Sequence, residues 1–315
     1  LISHEYFHAW NVKSIKPATL AQSDLNQEAY TELLWAFEGI TSYYDDLFLV
    51  RSGRISPAAY LELLAKTITR VHRNPGHRRQ TLAQSSFHAW DKYYKQNENS
   101  PNAITSYYQQ GALAALCLDL YIRKQSRHSL DSIMQALYQD WLTRKQPLDE
   151  TEWEELAQTI TGLDLRNLFN QLIRSTRPLP LETALAHAGL CLHWLPLPPS
   201  HNGGCGPLPP TLPANDFGVR FQQNGSDITI SHVLNGSSAE HAGLAPGDRI
   251  IAINGYAAND FATQWQQQKI GSQVKLHYFR HSVLHHTTAP VQPATANTAW
   301  LTIENPAALQ AWLQI

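Results

Sequence analysis

His4-Glu5-Tyr6-Phe7-His8 decides how the rest of this 315-residue chain is read. On a helix, residues four apart share a face, so His4 and His8 can offer two imidazoles to one metal ion. Glu5, beside the first imidazole, is placed to act as general base on a water at that ion. Catalytic zinc keeps three protein ligands and one open position, often His, His and Glu. The third ligand must then come from a second helix packed on the first. Glu38, in Leu34-Trp35-Ala36-Phe37-Glu38-Gly39, is the candidate, because a carboxylate among aromatic and aliphatic neighbours needs a cation. The motif begins four residues into the chain. A catalytic helix is not the expected first element of an intact enzyme, so we expect this sequence to be part of a longer protein.

Composition narrows the class. The length suggests two or three domains, and an apolar fraction of 43% is ordinary for a globular protein. A net charge of -2 and basic residues scattered along the chain give no field for nucleic acid or an anionic membrane. The longest apolar stretch, near Gly111 to Ile122, is broken by Asp119 and is too short to span a bilayer. Three cysteines, Cys117, Cys191 and Cys205, show no metal-ligand spacing and fit a reducing compartment such as the cytoplasm.

The pattern then divides the chain. Residues 1–190 read as helical, with Leu33, Leu34, Phe37, Ile40, Tyr44 and Leu47 recurring at three- and four-residue steps. Ser56-Pro57 opens a helix continuing through Ala59 to Val71. Asn102 to Arg123 reads as one long helix with a buried middle. Ser129 and Asp149 read as N-caps, and Thr161-Gly162 as a helix end. Residues 191–213, rich in Pro and Gly, read as a linker without a packed core. Residues 214–295 read as a small β domain with strands at Val219–Phe221, Ile228–Val233, Arg249–Ile253 and Val274–Phe279. Residues 296–315 read as a helical tail. The expected class is multidomain α+β: a mainly α-helical domain followed by a small β-rich one.

Several motifs carry a resemblance. His4-Glu5-Tyr6-Phe7-His8-Ala9-Trp10-Asn11-Val12-Lys13, the Glu38 segment through Tyr44, Ser86-Phe87-His88-Ala89-Trp90 and Ser106-Tyr107-Tyr108-Gln109-Gln110-Gly111-Ala112 together resemble the glycyl aminopeptidase family of gluzincins. The resemblance implies a thermolysin-like catalytic domain, one Zn²⁺ held by His4, His8 and Glu38, and Glu5 as general base. It implies that Tyr108 stabilises the oxyanion, with Tyr107 the alternative one position away. Gln110 stands where related aminopeptidases carry Lys. Ser42, Asp45 and Asp46 are candidates to orient the imidazoles, the two Asp being read first as solvated acids. The expected activity is aminopeptidase action on small N-terminal residues, Gly or Ala, with the acid that holds the substrate amine supplied upstream. The alternatives are a PDZ-assisted zinc endopeptidase and a non-catalytic interaction protein.

Phe217-Gly218-Val219, the run Ser237 to Ile250 and the closing Ile253-Asn254-Gly255 resemble a PDZ domain of the bacterial protease type. In such a domain the loop Phe217, Gly218, Val219 would hold a C-terminal carboxylate on backbone N–H groups. Expected partners are therefore peptide or protein substrates and a C-terminal peptide, with no nucleic acid and no membrane.

Overall fold

The computed structural model describes residues 1–315 except 25, 211–213 and 225–226. The end of the expected linker, 211–213, lies outside the described residues. Helix α1 is Ile2–Phe7, with His8 as its cap. A π-helical turn, Trp35–Gly39, runs directly into α2, Ile40–Arg51. Helix α3, Pro57–His72, starts as its residues dictate: Ser56 Oγ accepts from the Ala59 N–H at 3.2 Å and Pro57 needs no partner in the first turn. Asp149 does not cap its helix. The helix is Glu152–Thr161, its N-cap is Thr151, and the Asp149 N–H is taken by Glu152 Oε2 at 2.8 Å.

The expected helix from Asn102 to Arg123 is broken. A short helix, Ser100–Ala103, precedes helix α4, Gln109–Gln125, with irregular backbone between them. Side chains explain the break. The Thr105 N–H donates to Gln80 Oε1 at 2.9 Å, and its carbonyl accepts from Ser85 Oγ at 2.7 Å. Both backbone groups are satisfied outside a helix, so nothing drives the chain to continue one. The middle of α4 is buried all round, including Leu113, Leu116 and Leu118. Helix α5, Leu130–Arg144, begins at a reciprocal Ser129–Ser132 cap.

The linker and tail expectations change more. Leu190–Leu195 is strand β1 and Gly204–Cys205 is strand β2, and Leu195 and Leu197 are buried. The β domain follows with β3 (Val219–Asn224), β4 (Asp227–Val233), β5 (Arg249–Ile253), β6 (Tyr256–Ala257), helix α6 (Phe261–Gln266), β7 (Gln273–Arg280) and β8 (Val283–Pro290). Its sheet order is β3-β4-β5-β7-β8, all antiparallel, with β6 on β5. The tail is not a single helix. It forms β9, Thr298–Ile303, and then α7, Pro306–Leu313. β9 lies between β1, antiparallel, and β2, parallel. The chain therefore leaves the helical domain, builds the β domain and returns.

The return is locked by burial and polar contacts. Ala299, Leu301, Leu309, Trp312 and Leu313 join the core of the helical domain, while Phe217, Phe261 and Trp265 belong to a separate β-domain core. Trp312 Nε1 donates to the Tyr43 hydroxyl at 3.1 Å, which donates to Asp119 Oδ2 at 2.7 Å. Burying two such aromatic groups contributes several kcal/mol, on the order of 2–3 each. Among the described residues, no helix is long and apolar enough to cross a membrane.

Candidate active site

The expected metal ligands converge. His4 Nε2 and His8 Nε2 each lie 3.3 Å from Glu38 Oε2, and the donor atoms all lie within 4.8 Å of one another. The side chains are only 14%, 12% and 21% exposed. The imidazole planes stand at 89° with centroids 4.7 Å apart, so the two nitrogens approach from different directions. Each ring is fixed from behind. His4 Nδ1 donates to Asp45 Oδ2 at 3.2 Å, and His8 Nδ1 to the Asn11 carbonyl at 2.9 Å. These bonds fix the ring orientations and turn both Nε2 atoms toward Glu38.

The set fits a divalent metal. Ligands about 2.1 Å from a tetrahedral zinc stand about 3.4 Å apart, close to the 3.3 Å that separates each Nε2 from Glu38 Oε2. The electrostatics agree. The Asp45 hydrogen bond, then that of Glu38, raises His4 to about 9 against its burial. Burial would push Glu38 up, but hydrogen bonds from His4 and His8 outweigh it and hold the carboxyl at about 2. Burial alone would lower His8, yet Glu38 and the Asn11 carbonyl raise it. The pocket thus holds Glu38 ionised and bonds the imidazoles on both nitrogens, an arrangement that a cation at the shared point can replace proton for metal.

Three features that the motifs did not reveal build this geometry. The first is the π turn that carries Glu38. Such turns widen the helix and free carbonyl oxygens. Asn11, fully buried, donates through Nδ2 to the Ala36 carbonyl at 3.0 Å, the Phe37 carbonyl at 3.3 Å and Thr41 Oγ1 at 3.2 Å. One side chain therefore ties the histidine segment to the turn that presents Glu38. At the start of the turn, the Trp35 N–H donates to Ser86 Oγ at 3.0 Å, which gives the Ser86-Phe87-His88 motif a structural role.

The second is a glycine contact. A Cβ on Gly39 would stand 2.7 Å from Gly111 Cα, and one on Gly111 would stand 2.9 Å from Gly39 Cα. Only glycine lets the two backbones meet. Since Gly39 follows Glu38 and Gly111 lies three residues after Tyr108, the contact brings the third ligand and the tyrosine into one site. The third is Asp45. Of the candidates beyond Glu38 it is not a solvated acid but the partner of His4, whereas Asp46 gives its own N–H to Asp45 Oδ1 at 2.6 Å.

Tyr108 sits at the N-cap of α4 with its ring 6.2 Å from that of His4, centroid to centroid. Tyr107 lies behind it: its ring is buried, 4.6 Å from that of Tyr108, and its hydroxyl donates to the Tyr94 hydroxyl at 3.1 Å. Burial, then a Tyr94 hydrogen bond, raises Tyr108 well above the ordinary tyrosine range, so it stays a proton donor. Gln110, which replaces the usual Lys, is buried and accepts a short hydrogen bond from Thr105 Oγ1. A lysine there would face a desolvation cost without a carboxylate partner, and an amide does not. Glu5 is exposed beside His4 on α1.

The PDZ-type loop lies apart from these ligands. Phe217 packs on Trp265 and Phe261, with centroids 4.4 and 4.9 Å away. Gly218 has φ +76°, and a Cβ there would meet Ser237 Cβ at 2.1 Å, so the position requires glycine. Its N–H donates to Asp216 Oδ1 at 2.9 Å. Val219 opens β3, and both it and Gly218 line a cleft facing α3.

A helical domain that gathers two imidazoles and a carboxylate, joined to a small antiparallel β domain, defines a multidomain α+β protein. Residues 1–114 match the M61 glycyl aminopeptidase family and residues 210–277 match the PDZ domain. The chain carries an M61 glycyl aminopeptidase family domain followed by a PDZ domain. A solved aminopeptidase N family protein from Idiomarina loihiensis is 34% identical, over 98% of this chain and 53% of that one, with a TM-score of 0.91. This chain spans about half the length of that protein. Likeness to an HtrA-type protease, AlgW, covers 27% of this chain and 30% of that one at 20% identity, with a TM-score of 0.26. A serine endoprotease from Yersinia pestis gives 16% identity over 27% of this chain and 31% of its own, with a TM-score of 0.25. No curated protein matches the sequence.

Proposed function

We propose that this chain is the catalytic part of a zinc-dependent aminopeptidase that removes small N-terminal residues such as Gly or Ala. The observation that carries the reading is the convergence of His4 Nε2 and His8 Nε2 on Glu38 Oε2, each ring held from behind. His4, His8 and Glu38 would hold one Zn²⁺, which when bound supplies Lewis-acid polarisation and an acidified water. Glu5 takes the proton from the attacking water and returns it to the leaving amine. Tyr108, kept neutral by burial, donates a hydrogen bond from its hydroxyl to the carbonyl oxygen as that oxygen gains charge, and keeps its proton. Asp45 and the Asn11 carbonyl keep the two imidazoles from rotating away during this transfer.

The preference for free amino termini and small residues follows the family match and the aminopeptidase N family relative. The test uses Glu5→Gln. We expect about one zinc per chain to be retained and turnover of Gly- and Ala-peptides to fall by about 10²- to 10⁴-fold. Undiminished hydrolysis would sink the assignment of Glu5. Equal cleavage of N-acetylated and free peptides would sink the aminopeptidase reading while leaving the peptidase.

A further inference from the structure

Six of the 24 Lys and Arg residues, which read as scattered along the sequence, are collected by the fold around one interdomain cleft. Lys66 and Arg70 on α3 and Arg73 at its C-cap recur at four- and three-residue steps, so they share a face. That face looks across a cavity of about 300 Å³ at Gly218, Val219 and Arg220 of the β domain. A second cavity of about 380 Å³ adjoins it, sharing Arg73, Asp216 and Gly218, and adds Arg78 and Arg79. Asp216 is the single carboxylate among the described lining residues of either cavity. Its Oδ1 is already used by the Gly218 N–H.

The cations there are under-neutralised. Arg73 donates to Asn297 Oδ1, the Pro199 carbonyl and Thr298 Oγ1, and Arg220 donates to Asn74 Oδ1. All four acceptors are neutral. Lys66 and Arg70 form no ion pair among the described residues. Burial lowers Arg73 and Arg220 from the ordinary arginine value, and the nearby Arg70 charge lowers Arg220 further. In a protein of net charge -2, six cations around one cleft make a local field that favours an anion.

We infer that this interdomain cleft binds an acidic peptide segment, its carboxylates paired with Lys66, Arg70 and Arg220. The cations are spread over two turns of α3, the turn after it and strand β3, and do not converge on one point. Carboxylates spaced along an extended chain meet such a line; a single tetrahedral anion meets only part of it. Nucleic acid is disfavoured, since no Phe, Tyr or Trp lines either cavity to stack a base. Both domain families on this chain also handle peptides. The two domains are also tied together by Asn102, whose Nδ2 donates to the Val233 carbonyl at 2.8 Å while its Oδ1 accepts from the Asn235 N–H at 3.0 Å. Binding here does not use the His4 site, so it stands or falls separately from the proposed hydrolysis.

The test is fluorescence anisotropy of the full chain with a labelled ten-residue peptide rich in Asp and Glu, beside its Asn/Gln counterpart. We expect the acidic peptide to bind at least tenfold tighter, with the difference shrinking as salt rises. Lys66→Ala/Arg70→Ala, two exposed positions, should weaken the acidic peptide about tenfold without changing thermal unfolding. Lys66→Glu/Arg70→Glu should abolish that binding and create binding of a Lys-rich peptide. Equal affinity for the two original peptides would overturn the proposal, as would charge-reversed protein that keeps the acidic peptide within twofold. Full displacement by millimolar inorganic phosphate would overturn it in favour of a simple anion site.

Discussion

The two regions suited to peptide chemistry are built in opposite ways. Around His4, His8 and Glu38 the chemistry belongs to side chains, and each imidazole has a backing partner. In the loop Phe217-Gly218-Val219 it belongs to backbone N–H groups, and one of these is already satisfied by Asp216. The first region is assembled by packing that forces donors together at the cost of desolvation. The second is a turn in which the Gly218 N–H bonds the neighbouring Asp216 carboxylate. A side-chain site is therefore specified by which residues are present, and a backbone site by which donors remain unpaired.

Three substitutions sharpen that contrast, starting with the largest effect. Tyr108→Phe should lower turnover by about 10²- to 10³-fold with little change in zinc content, because it removes a donor to the developing charge. Tyr107→Phe should leave kcat within a few-fold, since that hydroxyl is spent on Tyr94; the reverse order in steady-state kinetics would exchange the two assignments. Asp45→Asn comes next. Loss of the orienting carboxylate should weaken zinc binding or activity by about 10- to 100-fold. It also predicts a pH effect of definite sign. Asp45 is the largest cause of the raised His4 value near 9, so its loss lowers that value, and protons leave the site at lower pH. Zinc titrations from pH 6 to 9 should show the loading midpoint moving down in the variant, with weaker binding at the top of the range. An unshifted midpoint would mean that Asp45 does not set the basicity of His4.

The smallest effect belongs to the loop. Asp216→Ala frees the Gly218 N–H, so a peptide ending in a free carboxylate should bind a few-fold tighter, about the worth of one hydrogen bond. Isothermal titration with the same peptide amidated at its C-terminus is the control. If the amidated and free peptides gain equally, the loop does not read a carboxylate.

Much of this site was legible in the sequence because its residue types are chemically demanding. Two histidines at helical spacing and a glutamate amid aromatic residues have few other stable roles, and the structure brings His4, His8 and Glu38 together. The alternation of helical and strand periods likewise located the change near residue 190. The supports were not legible. Asn11 read as an ordinary polar residue and Asp45 as an orienting candidate taken first for a solvated acid, yet their roles follow from facing a π turn and an imidazole that lie 25 and 41 residues away in sequence. Tyr107 and Tyr108 differ only in where the broken helix before α4 turns each ring. The tail read as a helix because its apolar residues suit one, and β9 forms only since β1 and β2 offer edges for it.

Composition and spacing by themselves picked out the residues that the structure gathers, His4, His8 and Glu38, and the two structural styles of the chain, because these depend on side-chain chemistry and local periodicity. Tertiary structure alone decided the rest. It placed Glu38 against Tyr108 through the Gly39–Gly111 contact, returned the tail to the helical core and gathered the cations of α3 opposite the β domain. Each of these is a contact between residues far apart in sequence, and its energy exists only once the packed backbones bring them within a few ångströms.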